Sequence, residues 1–209
     1  VRGKVWQLEA LRLLQHALGD IRSEPTQPAY HAGYVARDAK AVEALREKLG
    51  PKLAYLFPQG DTEVDREIIR CCGMLGVTDA DLVSRAIRRL PSDAPLEEQI
   101  HYLMAISLMG GPRDATTTAS TAKRLVGLHR TMRERGMVPS RNWPMRIGEM
   151  FSGLQQRDAK LAMAVVRDGD FGLAEHSLFV AGMKGDLQRE GARNLLKASH
   201  AAVSDEAWT

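Results

Sequence analysis

Disulfides cannot frame this chain. Its two cysteines, Cys71 and Cys72, are adjacent, and neighbouring residues rarely have the geometry of an unstrained disulfide. The fold must therefore rest on packing, and the redox compartment stays open. Aromatic residues make up only 5% of the sequence, low for a protein built on sheets, while the apolar 44% and charged 26% are ordinary for a globular domain. No apolar run approaches the roughly 20 residues that span a bilayer. The opening VRGKVWQLEA lacks the regions of a signal peptide, and an initiator Met is missing. A mature protein or a segment of a longer chain is the expectation, and 209 residues suffice to bury a core without staples.

Chemical constellations are also scarce. His16, His31, His101, His129, His176 and His200 are scattered singly, and no two are spaced to share a metal on one helix face. The glycines of GMLG, SLMGG and DGDFGLAEH match no phosphate-cradling loop and read as helix stops or points of close packing. The letters DFG stand without any other kinase element. In EEQIHY, Glu97 and His101 can touch on one helix face, and Glu98 with His101 echoes half of a carboxylate di-metal site. Such a site needs a second copy, and none is visible. The acidic residues of DTEVDRE could tempt a carboxylate-pair reading, but a first helical turn favours acids through the helix dipole alone. Cys72 falls on an inward stripe and Cys71 toward its edge, with no base beside them to make a nucleophile. No cofactor and no metal are expected.

What is present is a recurring helical pattern. VWQLEALRLLQHALGD spaces Val5, Leu8, Leu11, Leu14 and Leu18 on one face, with Gly19 as a stop. Pro25, Pro28 and Gly33 mark an exposed connection. A second helix runs from Asp38 through Val42, Leu45 and Leu49, until Gly50-Pro51 breaks or bends it and a short turn through Leu53 and Leu56 ends at Pro58 and Gly60. Asp61 or Thr62 caps the next helix, which carries Val64, Ile68, Cys72 and Leu75 inward and closes at Gly76. Asp79 caps a stripe of Leu82, Val83, Ala86, Ile87 and Leu90, stopped by Pro91. These two short neighbours are expected to pack antiparallel. Asp93 and Pro95 then open a helix striped by Leu96, Ile100, Leu103 and Ile106, ended by Gly110. Further helices are expected near 118–135, 141–154, 158–167, 176–183 and 187–200, and no strand. The caps at Asp61 and Asp93 lie 32 residues apart, close to the repeat of helical-pair solenoids, with irregular spacing elsewhere.

The formal charge of +3 is unevenly spread. Between residues 123 and 146, Lys123, Arg124, Arg130, Arg133, Arg135, Arg141 and Arg146 face Glu134 alone, a net +6 that leaves the remainder at −3. Lys123, Arg130 and Arg133 recur at helical spacing, and arginine beside Trp143 could hold phosphate and stack a base. Trp143 also continues the stripe of Ile147, Met150 and Phe151, where it would serve as a core anchor. Lys123, Arg124, Arg130, Arg133, Arg141 and Arg146 are thus the candidate binding surface.

LFPQGDTEVDREI, followed about 30 residues later by EEQIHY, resembles the HEAT-like helical segment of large multidomain planctomycete-type secreted proteins; LQQRDAKLAMAVV and HSLFVAGM extend the likeness to about residue 183. That family sets such a segment between a propeller-like dehydrogenase region and a c-type haem domain. RCCGML lacks the C-x-x-C-H of haem attachment, so the resemblance implies a spacer or docking part, and an extracytoplasmic setting.

The expectation is an all-α, HEAT-like α-α superhelix of irregular antiparallel helix pairs, one domain over 1–209 and part of a longer chain. Its expected role is a non-enzymatic scaffold for protein or interdomain contacts, without membrane insertion. The alternative is a nucleic-acid-binding module using residues 123–146, and a third class is a hydrolase or redox enzyme using Glu98 and His101.

Overall fold

In a computed structural model, residues 2–19, 33–36, 39–91 and 93–206 are described, and all their regular structure is helical. The expected connection at Pro25 and Pro28, the helix start at Asp38 and the lone His31 lie outside the described residues. The chain divides into two compact units, 1–114 and 115–209.

The first unit holds α1 (Arg2–Leu18), α2 (Ala39–Leu56), α3 (Thr62–Leu75), α4 (Leu82–Arg89) and α5 (Leu96–Leu108). Its centre is α3, which packs on α5, α1 and α2. That arrangement explains why Val64, Ile68, Ile69, Cys71, Cys72, Met74 and Leu75 are all buried, a wider apolar arc than a helix resting on one neighbour needs. Both thiols are inside, so Cys71 is a core residue and not an edge one. The expected antiparallel pair of α3 and α4 gives way to the main packing of α3 on α5. There Gly73 lets the backbones approach: a Cβ at that position would sit 3.1 Å from the Cα and carbonyl oxygen of Ala105.

The caps follow the sequence closely. Asp61 accepts the amides of Glu63 and Val64 at 3.0 and 3.2 Å, and Asp79 those of Asp81 and Leu82 at 3.1 and 2.9 Å. At the other end of α3, Gly76 takes the left-handed conformation at φ 57°. Gly76 and Val77 then return their amides to Gly73 and Cys72, the paired bonds of a Schellman stop. Arginines donate to backbone carbonyls at three helix ends. Arg46 donates to Leu75, Arg85 to Ala54 and Phe57, and Arg113 to Ile106 and Met109.

Four local expectations are corrected. Helix α2 runs unbroken through Pro51 to Leu56, because burying Val42, Leu53 and Ala54 on one side outweighs one lost hydrogen bond. On α1, Val5 is solvent-exposed, and Gln15 joins Leu8, Leu11 and Leu18 inside, bonded to Glu67 at 2.6 Å. Helix α5 starts from Pro95 and not from an Asp93 cap, since the proline fixes the entry angle itself. On that helix Gln99 is buried and Ile100 only partly so, with the Gln99 amide held by the Ala94 carbonyl at 2.9 Å.

The second unit holds α6 (Ala115–Glu134), α7 (Trp143–Arg157), α8 (Leu161–Val166), a 3-10 turn (Ala174–His176), α9 (Ser177–Ala181) and α10 (Gly185–Glu206). Its core joins Leu125, Val126 and Leu128 of α6 with Ile147, Met150, Phe151 and Leu154 of α7, and with Leu161, Val165 and Phe179. Phe151 and Phe179 meet edge to face at 5.0 Å. Among the described residues no helix is long and apolar enough to cross a membrane.

Candidate binding surface and the Trp143 pocket

Helix α6 turns Thr117, Thr121, Leu125, Leu128, His129 and Met132 inward, which leaves Lys123, Arg130 and Arg133 on its outer side. The basic face is therefore real, but part of it is already matched. Arg130 meets Asp170 at 2.6 Å, and Arg133 meets Glu175. Both acids lie in the stretch after α8, some forty residues away in sequence. The Arg130 bond holds the Asp170 carboxyl below its usual range. Arg124 is partly buried, whereas Lys123, Arg141 and Arg146 are exposed. The six candidate residues do not form one uncompensated cationic field.

Beyond Glu134, Gly136 adopts φ 62°, and Gly136 and Met137 return their amides to Arg133 and Met132. This second Schellman stop ends α6 and sends the chain into Val138, Pro139 and Ser140. A tight turn follows, with the Trp143 amide on the Ser140 carbonyl at 2.9 Å, and Pro144 in the first turn of α7 suits the helix start. Between this loop and the turn at 174–178 opens a cavity of about 290 Å³. Pro139, Trp143, Pro144 and Leu178 supply apolar walls, and His129, Arg141 and Glu175 supply its charged or titratable groups.

Trp143 is not the core anchor its stripe implied. It is partly exposed at the rim, its ring set edge-on to His129 with centroids 5.9 Å apart. Its indole nitrogen lies 2.9 Å from Nε2 of His129. Because an indole N–H only donates, Nε2 accepts. Burial, followed by the neighbouring His176, pushes the His129 pKa down to about 4, so the ring is neutral and its proton sits on Nδ1. That N–H is buried and meets no hydrogen-bond partner among the described residues, and the same holds for Oε2 of Glu175.

His176 behind it has the opposite tautomer. Its Nδ1 accepts the amides of Gly172 and Leu173 at 3.1 and 3.3 Å, so Nε2 donates to the Val126 carbonyl at 3.1 Å. Stacked on Phe171 at 5.3 Å, it braces the 172–176 turn against α6. Burial opposes ionisation of Glu175, but its bond to Arg133 and its own backbone amide prevail and hold its pKa below the usual carboxylate value. His129 and Glu175 both border the cavity, while Nδ1 of the one and Oε2 of the other are themselves shut off from solvent.

The other singled-out residues serve packing. His101 is buried, with Nδ1 on the Tyr34 hydroxyl at 2.6 Å and Nε2 on the Arg66 carbonyl at 2.9 Å, so both nitrogens are engaged away from Glu97 and Glu98. In DTEVDRE, Asp61 caps, Glu63 and Asp61 bind Lys4, and Asp65 binds Arg89. Among the described residues no three His, Cys, Asp or Glu side chains converge as a metal set would.

The counterions and the role of His129 escaped the sequence reading. The only pointer to the former was that Arg130 and Arg133 lie one turn apart while Asp170 and Glu175 lie in a short acidic stretch. Compared with protein-family models, curated proteins and solved structures, the chain matches none.

Proposed function

We propose that this chain is a non-enzymatic helical-repeat scaffold, HEAT-like in arrangement, that holds a segment of a protein partner or of a neighbouring domain in a longer parent chain. The observation that carries this reading is the apolar pocket at Trp143, whose lining residues Pro139 and Pro144 are respectively preceded and followed in sequence by the exposed Val138 and Met145, 91% and 52% accessible. Exposed apolar residues clustered beside a concave site favour protein contacts, and aromatic anchors at such pockets commonly dominate binding energy. The resemblance to the planctomycete-type segment supports an extracytoplasmic parent chain in which this part is a spacer or dock.

A peptide-display selection on the purified chain tests the docking reading. Selected peptides should lose about tenfold or more in affinity when Trp143→Ala or Leu178→Lys alters the pocket, as expected of a hot spot. A selection returning only binders indifferent to both substitutions would remove the reading.

The second reading, nucleic-acid binding, is favoured by the exposure of Lys123, Arg141 and Arg146. The pairing of Arg130 and Arg133 weighs against it. Binding to single- or double-stranded oligonucleotides that weakens steeply with salt would revive it. No binding at low salt would dismiss it.

A further inference from the structure

Helix α1 carries two apolar faces where a surface helix needs one. Leu8, Leu11 and Leu18 are buried, and the helix packs on α3. On its far side Gly3, Trp6, Ala10, Leu13 and Ala17 are all exposed, Trp6 and Leu13 to 74% and 68%. These five positions follow one another at alternating intervals of three and four, the seam of a coiled coil. The outward face of a helix is ordinarily polar. Here Glu9, Arg12 and His16 are confined to one flank of the seam.

Size alternates along the seam as well, small at Gly3, Ala10 and Ala17 and large at Trp6 and Leu13. Two copies of this helix set parallel would put Trp6 against Trp6 and Ala10 against Ala10, bulk on bulk and gap on gap. Set antiparallel, every large residue meets a small one, as facing layers must to fill space. Two registers achieve this. In one, Ala10 faces Trp6, and the two Glu9 carboxylates come together and repel. In the other, Ala10 faces Leu13, Trp6 faces Ala17, and Glu9 of each helix lies beside His16 of its counterpart. Glu9 holds Arg12 through Oε1 at 3.0 Å, and a carboxylate accepts further donors, so an imidazole N–H can join it. The match of acid to base therefore selects the second register, and twofold symmetry makes that contact twice.

We propose that the chain pairs with a second copy of itself through the outer face of α1, the two helices antiparallel and Ala10 of each against Leu13 of the other. These residues belong to the first unit and the Trp143 pocket to the second, so this inference and the docking reading can fail separately. One face of a single helix buries less than the roughly 800 Å² per partner of a stable interface. The pairing is therefore weak and reversible, with a dissociation constant of roughly 10–500 μM.

Sedimentation of the full chain between about 10 μM and 1 mM, a range that brackets such an affinity, should show monomer giving way to dimer. Trp6→Glu and Leu13→Glu alter exposed side chains, and each should weaken the dimer about tenfold or more. His16→Glu should weaken it roughly fivefold and His16→Lys strengthen it by a similar factor, since each change acts twice. Oxidation reads the geometry: an Ala10→Cys chain mixed with a Leu13→Cys chain should form the mixed disulfide in preference to either like pair. Cys71 and Cys72 are too deeply buried to compete. A monomer throughout the range would overturn the proposal. So would a dimer indifferent to Trp6→Glu, which would lie on another face. Preferential linking of Ala10→Cys to itself would mean parallel helices, and to a Trp6→Cys chain the other register; either would overturn the arrangement.

Discussion

Asp65 is fully buried on α3, and its Oδ2 sits 2.9 Å from Nε of Arg89 on α4, while Oδ1 accepts the Gln59 amide at 2.6 Å. One carboxylate thus joins the loop before α3, the helix itself and α4. Removing the guanidinium with Arg89→Met strands a buried charge. The expected cost is about 2–4 kcal/mol, toward the low side of buried pairs because Arg89 is partly exposed. Asp65→Asn should cost less than Arg89→Met, since it keeps the shape and the bond to Gln59. Chemical denaturation of both variants checks the order, and equal stability of Arg89→Met and the parent would show that the pair contributes nothing.

The close approach of α3 and α5 sets a second expectation. Gly73→Ala should gain up to about 1 kcal/mol of helix propensity, yet its methyl would press on backbone atoms of Ala105 at 3.1 Å. Backbone in the middle of a buried helix yields poorly, and overpacking of this kind costs about 1–3 kcal/mol. Net destabilisation follows, seen as a lower melting temperature. A more stable Gly73→Ala would mean that α5 can shift.

These cases mark what the sequence discloses. Stripes such as Val64, Ile68, Cys72 and Leu75 and caps such as Asp61 are local, and periodicity reveals them directly. Pro51 misled because the local penalty of a proline is opposed by burial of Leu53 and Ala54, a long-range effect. The basic face had the same weakness: Arg130 and Arg133 read as free cations because Asp170 and Glu175 lie some forty residues away, and nothing in the spacing joins them. Trp143 was placed inside by its register on α7. The indole instead finds its acceptor in His129 at the rim, which no stripe encodes.

The buried histidines predict an acid-sensitive fold. Burial pushes His101 and His129 down to about 4 and lowers His176 as well, from an ordinary value of 6.5. The unfolded chain takes up these protons near pH 6.5; folded, His101 and His129 take them up only near 4, and His176 also below its ordinary value. Their stabilising contribution is therefore complete above about pH 6.5 and is lost as pH falls toward 4, on the order of 2–3 kcal/mol for His101 alone. Melting temperatures should drop steadily across that window, and His101→Gln should flatten part of the slope. The ring nitrogens give an independent check at neutral pH: His101 and His176 should carry the proton on Nε2 and His129 on Nδ1. A flat melting temperature between pH 6.5 and 4.5 would contradict the assignment.

Cys71 and Cys72 offer a probe of the same core. Both are completely buried in α3, and the Cys71 thiol lies 3.8 Å from the Leu11 carbonyl. Burial, followed by the neighbouring Cys71, drives the Cys72 pKa far above that of a free thiol. The reactive thiolate is therefore suppressed twice, by exclusion of reagent and by loss of the anion. Because α3 packs on α1, α2 and α5 together, exposing either sulfur requires this unit to open, with no fraying of one edge sufficient. Labelling by an aromatic disulfide at pH 8 should show no fast phase in native buffer. Where closing outpaces reaction, its rate should report an opening free energy equal to that from denaturant unfolding of the same unit. Prompt reaction of one thiol in the folded protein would show that α3 is reached from solvent and that its central position is wrong.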